Sequence, residues 1–338
     1  MGAGEAVAAL AGGKAAPVAS AEMDFGKATV RAAIGGAVWI AFVVWRVPDA
    51  RHENWALALV LLAAAVLVPL AFGLWTERDE TRQELPERLF GWAERTQLPA
   101  VLALALALGL EPGWPAAALA LPWAAVLGML ALAGLGRIRR DRFRRPLEGL
   151  AADVSLVFGA VGAAWLLADR AGWQPMGFAP PIVALTAVHF HYAGLFLPLF
   201  AGLVHRELVI VRFASQALVG VVLGVPATAL GITATQLGWG HSLETGAGCG
   251  LALAGMAVGL LHVRLALDAK RQERRVRGLM AAAGVTLFLA MVLAGAYALR
   301  GVAGVAPWLG LPQMRLLHGS LNALGFGLAG VLAWRAWK

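Results

Sequence analysis

A chain of 338 residues that is 60% hydrophobic and only 14% charged is too apolar for a soluble domain, where about half of the residues are apolar and about a quarter charged. The single cysteine, Cys249, excludes an internal disulfide and cannot make a thiolate metal site on its own. The net charge of +8 does not point to nucleic acid, because the basic residues gather in short loops between apolar blocks, where membrane topology places them.

Residues 1–26 are rich in alanine and glycine, interrupted by Glu5 and Lys14, and lack the apolar core of a signal peptide. Met1-Gly2 without Ser or Thr at position 6 gives no myristoylation signal. The expectation is a short flexible cytoplasmic tail, then a single transmembrane helical domain over residues 27–338. Ten apolar blocks follow at 28–46, 55–75, 96–110, 115–136, 149–168, 180–204, 208–236, 247–267, 279–299 and 314–336. Most are long enough to cross about 30 Å of hydrocarbon as a helix, and none alternates with the period of a barrel strand. The predicted fold is therefore all-α, a polytopic transmembrane bundle of about ten spans. The third block is the weakest, and Glu111-Pro112-Gly113-Trp114-Pro115 predicts a tight hairpin between it and the fourth.

The loops alternate in character. Six arginines fall in 137–145, Lys270, Arg271, Arg274, Arg275 and Arg277 in another loop, and Arg78, Arg82, Arg88 and Arg95 in a third over 76–95. These loops share one side, and the positive-inside rule makes it cytoplasmic, with both termini. The opposite loops hold few arginines and one tryptophan each: Trp55, Trp114, Trp173, Trp239 and Trp308, a plausible aromatic belt. Gly220 with Gly224, and Gly255 with Gly259, are small residues four apart that let helices approach closely.

Ionisable residues inside spans are candidates for function. His189 and His191 stand in ALTAVHFHYAGLFLPLF, residues 184–200. Two positions apart, they point about 200° away from each other on a regular helix. Thr186, His189 and Tyr192 share one face, and His191 faces the other way, where a neighbouring helix can meet it. Pro198 frees a carbonyl near Gly194, and a kink or π-bulge there brings the rings closer. In the last span, His318 and Asn322 are four apart on one face. Depth counting puts Asn322 level with His189, so His189, His191, His318 and Asn322 are expected to cluster if spans six and ten touch. Asp153 is expected to cap a helix or face Arg145, and His205 to lie solvated in a loop.

HFHYAG at 189–194 together with HGSLNALGFG at 318–327 resembles the YndJ-like family of bacterial membrane proteins. The two motifs cover about a tenth of the chain. The resemblance implies a multi-pass protein of the bacterial inner membrane and says little about activity. The matching positions are His189, His191, Tyr192, Gly194, His318, Gly319, Asn322 and Phe326.

The chemistry of the residues themselves suggests an intramembrane enzyme acting on a hydrophobic small molecule, an isoprenoid or acyl lipid. Histidine is the side chain whose proton moves near neutral pH. His189 is then the leading base or acid and His318 its complement, with Asn322 and Tyr192 orienting the substrate for isomerisation, cyclisation or epoxide opening. No cofactor is required by that chemistry. Haem or a metal on His189, His191 or His318 is an alternative; no cysteine, and no carboxylate at the right depth, is there to complete a closed zinc site. A proton-coupled transporter is the other main reading, although no Asp or Glu stands at mid-depth. In a third, the histidines only pack. The expected partners are the lipid bilayer and the hydrophobic substrate, with no nucleic acid; the oligomeric state is not readable.

Overall fold

The computed structural model describes residues 16–47, 52–75, 84–141, 144–303 and 308–337. Ten long helices organise them: α1 (Ala16–Arg46), α2 (Asn54–Leu74), α3 (Leu85–Gly109), α4 (Trp114–Asp141), α5 (Leu147–Ala171), α6 (Pro180–Glu207), α7 (Arg212–Gln236), α8 (Ser242–Asp268), α9 (Arg274–Ala298) and α10 (Leu311–Ala336). Nine are long and apolar enough to cross a membrane, and the exception is α3. No strand occurs among the described residues. The predicted all-α bundle is the observed one, and its boundaries follow the apolar blocks.

Two boundaries differ. Helix α1 already runs from Ala16, ten residues before the end of the expected tail; residues 1–15 lie outside the described residues. Helix α3 begins at Leu85, where a loop was expected up to residue 95. Its first half carries Glu87, Arg88, Glu94 and Arg95, which lowers its hydropathy, but several of these charges are matched within the fold. Arg31 of α1 pairs with Glu94 at 2.7 Å, and Arg140 of α4 with Glu87 at 3.0 Å. Pairing lets a charged stretch continue a helix whose remaining face is buried through Phe90, Ala93 and Gln97. The predicted hairpin between α3 and α4 is present: Leu110 to Gly113 form the turn, fastened by Gly113 N–H donating to Arg170 O at 2.7 Å.

Helix α2 is the centre of the bundle, 83% buried over its apolar window. Helices α3, α4 and α5 pack in sequence on one side, and α7, α8 and α9 on another. Helices α6 and α10 both pack against α2, α6 leaning on α5 and α7, and α10 on α9. The predicted small-residue faces carry the close contacts. Gly220 and Gly224 meet Ala254 and Leu251 of α8, and Gly255 meets Met291 of α9. Gly259 and Gly284 press backbone to backbone, each against the other's carbonyl.

The three central helices share a further feature. Each contains π-helical turns: Ala63–Leu67 in α2, Phe190–Gly194 in α6, and Met314–His318 with Leu321–Leu328 in α10. Such turns widen the helix and leave carbonyls without their usual partner. Pro69 cannot donate to the carbonyls behind it. Gln97 Nε2 takes up Ala64 O at 2.8 Å, and the Ala65 carbonyl abuts Gly35 of α1, where any side chain would overlap it.

At one end of the bundle, the arginine-rich end, buried charge is neutralised. Arg137 is 6% exposed and reaches Asp153 at 3.5 Å and Trp75 O at 3.3 Å. Arg145 closes on the other oxygen of Asp153 at 2.6 Å, the pairing expected from sequence. His205 departs from expectation. It is buried rather than solvated, its Nδ1 on Glu148 at 3.2 Å and its Nε2 on Ser215 at 3.0 Å, because the helix of α6 continues through Glu207. At the opposite end, Trp114, Trp173, Trp239 and Trp308 are exposed, as a belt requires. Trp55 instead turns inward and donates to Ser320 Oγ at 3.1 Å.

Candidate functional site

The first half of α6, Pro180–His189, packs on α5 and α2, and contact between α6 and α10 begins at the π turns that follow. Below that level an aromatic ladder holds the two helices together. Phe196 and Phe200 stack along α6, Phe200 meets Phe326 edge-on at 5.2 Å, and Gly330 packs on Phe200. Above it His189 and His318 face each other across the two helices, rings 6.2 Å apart between centroids and 20° from parallel. At the usual rise, His189 is about 13 Å along α6 from its start at Pro180.

His189 lies deep among the helices, yet its ring is exposed while Ala187, Val188, Phe190 and His191 around it are buried. Its ring is therefore open to the surroundings of the bundle rather than packed between helices. Neither of its ring nitrogens has a hydrogen-bond partner among the described residues.

His318 is the opposite case. Its Nδ1–H donates to Ala290 O of α9 at 2.9 Å, and its Nε2 accepts from Asn322 Nδ2 at 3.2 Å. The carbonyl partner fixes the tautomer, since a carbonyl only accepts. Asn322 Nδ2 also donates to the His318 carbonyl at 2.9 Å, so the amide is anchored by the helix it stands on. The structure thus brings His189 against His318, one turn from Asn322, the residue the depth count set level with His189; Asn322 joins the group through its bonds to His318, and one imidazole is left free.

His191 faces elsewhere. Its Nδ1–H donates to Ala187 O at 2.8 Å, its Nε2 accepts from Trp123 Nε1 at 3.0 Å, and Gly162 of α5 leaves room for the ring. The π turn is present where expected, but it seats His191 against α4 and α5, not beside His189. Tyr192 is also engaged: its hydroxyl donates to Leu59 O of α2 at 2.8 Å, away from the free nitrogens of His189. Gly194 packs on Phe158 and Phe190, and Gly319 on Leu59. Thr186 donates back to Ile182 O.

Sequence reasoning missed two members of this arrangement. Trp123 is a mid-span tryptophan, away from the belt, and that position was the available signal. The Ala290 carbonyl has no sequence signature. His262 of α8 repeats the His191 design: Nδ1–H to Val258 O at 2.8 Å, and Nε2 accepting from Trp334 Nε1 at 3.3 Å. No group of three or more His, Cys, Asp or Glu side chains converges on a possible metal position among the described residues.

Known proteins place the chain in context. It is 28% identical over 300 residues to the uncharacterized membrane protein YndJ of Bacillus subtilis (strain 168), an alignment covering 88% of this chain and 51% of that relative. The chain thus spans about half the length of the curated relative it matches. No solved structure matches it. A family model described as YndJ-like protein matches residues 58–326. That stretch is well over half of the chain and contains His189, His191 and His318, so the chain belongs to the YndJ-like family of membrane proteins.

Proposed function

We propose that this membrane protein is an enzyme that moves a proton on a hydrophobic substrate, an isoprenoid or acyl lipid, with His189 as the group that takes and returns the proton. One observation carries the reading: among the described residues, His189 is the one imidazole inside the bundle with both nitrogens free, and its ring is exposed beside His318. Imidazole is a side chain suited to take a proton from a substrate and to return it. Isomerisation needs nothing further. The proton leaves one carbon for the ring nitrogen, the double bond shifts, and the same nitrogen returns the proton to another carbon. No oxidant or cofactor enters.

His318 is a positioning residue in this scheme. Both its nitrogens are committed, so it holds a neutral aromatic face against His189. Asn322 fixes that state. With the arginine-rich end in the cytoplasm of a bacterial cell, the exposed ring of His189 lies away from the cytoplasm, and the substrate comes from the bilayer. Haem or a metal spanning His189 and His318 would need His318 to release Asn322 or Ala290. Proton-coupled transport would use the same imidazole, but the buried carboxylate of Asp153 is held between Arg137 and Arg145, which leaves it unsuited to carry a proton.

The test is mass spectrometry of whole lipid extracts from cells expressing the wild type, His189→Ala or an empty vector, with isoprenoid precursors supplied. A new or shifted lipid is expected with the wild type alone. Identical extracts, with both proteins folded in the membrane, reject the lipid-enzyme reading for those substrates.

A further inference from the structure

Three arginines are buried in the described structure: Arg137, Arg170 and Arg315, at 6%, 4% and 9% exposure. Two of them are neutralised. Arg137 has Asp153, and Arg170 has Asp169 at 2.7 Å with Leu110 O at 3.1 Å. Arg315 has no hydrogen bond and no ion pair among the described residues, and its Nε is fully enclosed without a partner. A guanidinium cannot shed its charge, and a buried charge without a counter-ion is strongly destabilising. Arginines near span ends usually extend to water. Here Leu316 and Leu317 take the exposed side of α10 and Arg315 turns inward, with only its Nη atoms keeping any access.

Its position is informative. Arg315 lies three residues before His318, towards the tryptophan-rich end, so it stands outward of the His189–His318 pair on the same helix. The start of α10 adds to the local positive potential. Helix amides point that way, and only the Gly310 amide is capped by Gln313 Oε1, at 3.1 Å.

We infer that Arg315 binds the oxyanion of an amphiphilic ligand, a carboxylate or phosphate head, on the outer side of the His189–His318 pair. The placement of that ligand's apolar tail beside His189 rests on the proposed function; the anion site does not. A fatty acid or a prenyl or acyl phosphate has the required form, and a neutral hydrocarbon does not. The head satisfies the guanidinium through charge-assisted hydrogen bonds, and the tail lies beside His189.

The test is thermal unfolding of the purified full chain in an uncharged maltoside detergent, titrated with oleate, oleyl phosphate, oleyl alcohol and inorganic phosphate. Oleate or oleyl phosphate is expected to raise the melting temperature saturably. In Arg315→Gln its affinity should fall about ten- to a hundredfold, the worth of a hydrogen bond to a charged group. Arg315→Lys should retain part of it, and oleyl alcohol should not distinguish the variants. Without ligand, Arg315→Gln should melt no lower than wild type, since it removes an unpaired charge. Equal affinities in wild type and Arg315→Gln overturn the proposal. So does inorganic phosphate binding as tightly as oleyl phosphate, because the tail then contributes nothing. A melting temperature several degrees lower in ligand-free Arg315→Gln overturns it too, by giving the guanidinium a structural partner. His189→Ala should still bind oleate, with the same loss of affinity when Arg315→Gln is added to it. If its lipid extracts then match wild type, the enzyme reading fails while the anion site stands.

Discussion

Four histidines of this bundle share an apolar setting and differ in what their ring nitrogens touch. His191 and His262 each donate from Nδ1 to the carbonyl four residues back and accept an indole N–H on Nε2. They are ties between helices, and each tie is complete. His318 is complete as well. The proposed proton transfer is therefore assigned to His189 by the chemistry of the remainder. The contrast makes a prediction. His191→Phe keeps a ring in the Gly162 pocket but strands the Trp123 N–H, which should cost about 1–3 kcal/mol. Its melting temperature should drop, while product per folded molecule persists. His189→Ala should show the reverse: a melting temperature near wild type, and no product. A stable, inactive His191→Phe would move the catalytic role to His191. The sequence reading could see that residues two apart cannot share a face. It could not tell which one stayed exposed, because the deciding partner, Trp123, is 68 residues away.

Among the helices, three kinds of irregularity have separate causes. The π turns fall on α2, α6 and α10, the helices that meet at the site. Two of those helices carry a proline just after the turn, Pro69 and Pro198, so part of this was legible; in α10 the nearby proline, Pro312, precedes the turns and frees no carbonyl within them, and glycines mark them. The close contacts were more legible. Gly255 and Gly259 read as a packing face from spacing alone, and Gly259 does meet the Gly284 carbonyl. A methyl group at 259 would stand 2.7 Å from that oxygen, so α8 and α9 must part. Gly259→Ala should destabilise by about 1–3 kcal/mol, the usual cost of overpacking. Gly250→Ala, on the same helix with nothing within 4 Å, is the control and should melt with wild type in a detergent unfolding series. Equal melting of the two would mean the helices can separate freely. The start of α3 was the least legible boundary. Its charges read as loop, and the partners that make them helical, Arg31 and Arg140, lie 63 and 53 residues away in sequence.

For the whole molecule, the alternation of arginine and tryptophan between successive loops assigns an orientation that the coordinates alone do not. Four exposed tryptophans stand at one end, and the Asp153–Arg137–Arg145 network lies at the other. The rule that basic loops stay in the cytoplasm then turns the exposed ring of His189 outward. Cys249 is the chain's one cysteine, so a Cys249→Ser background gives a clean reporter. In that background, Trp239→Cys and Arg271→Cys place a thiol at an exposed position on either end. A membrane-impermeant maleimide on intact spheroplasts should label position 239 and spare position 271, with both labelled after permeabilisation. The opposite pattern would invert the molecule. His189 and Arg315 would then face the cytoplasm, and the amphiphile they accept would come from the cytoplasmic leaflet. The side from which the proposed lipid would reach His189 thus follows, by that rule, from the same charges that hold the far end of the bundle together.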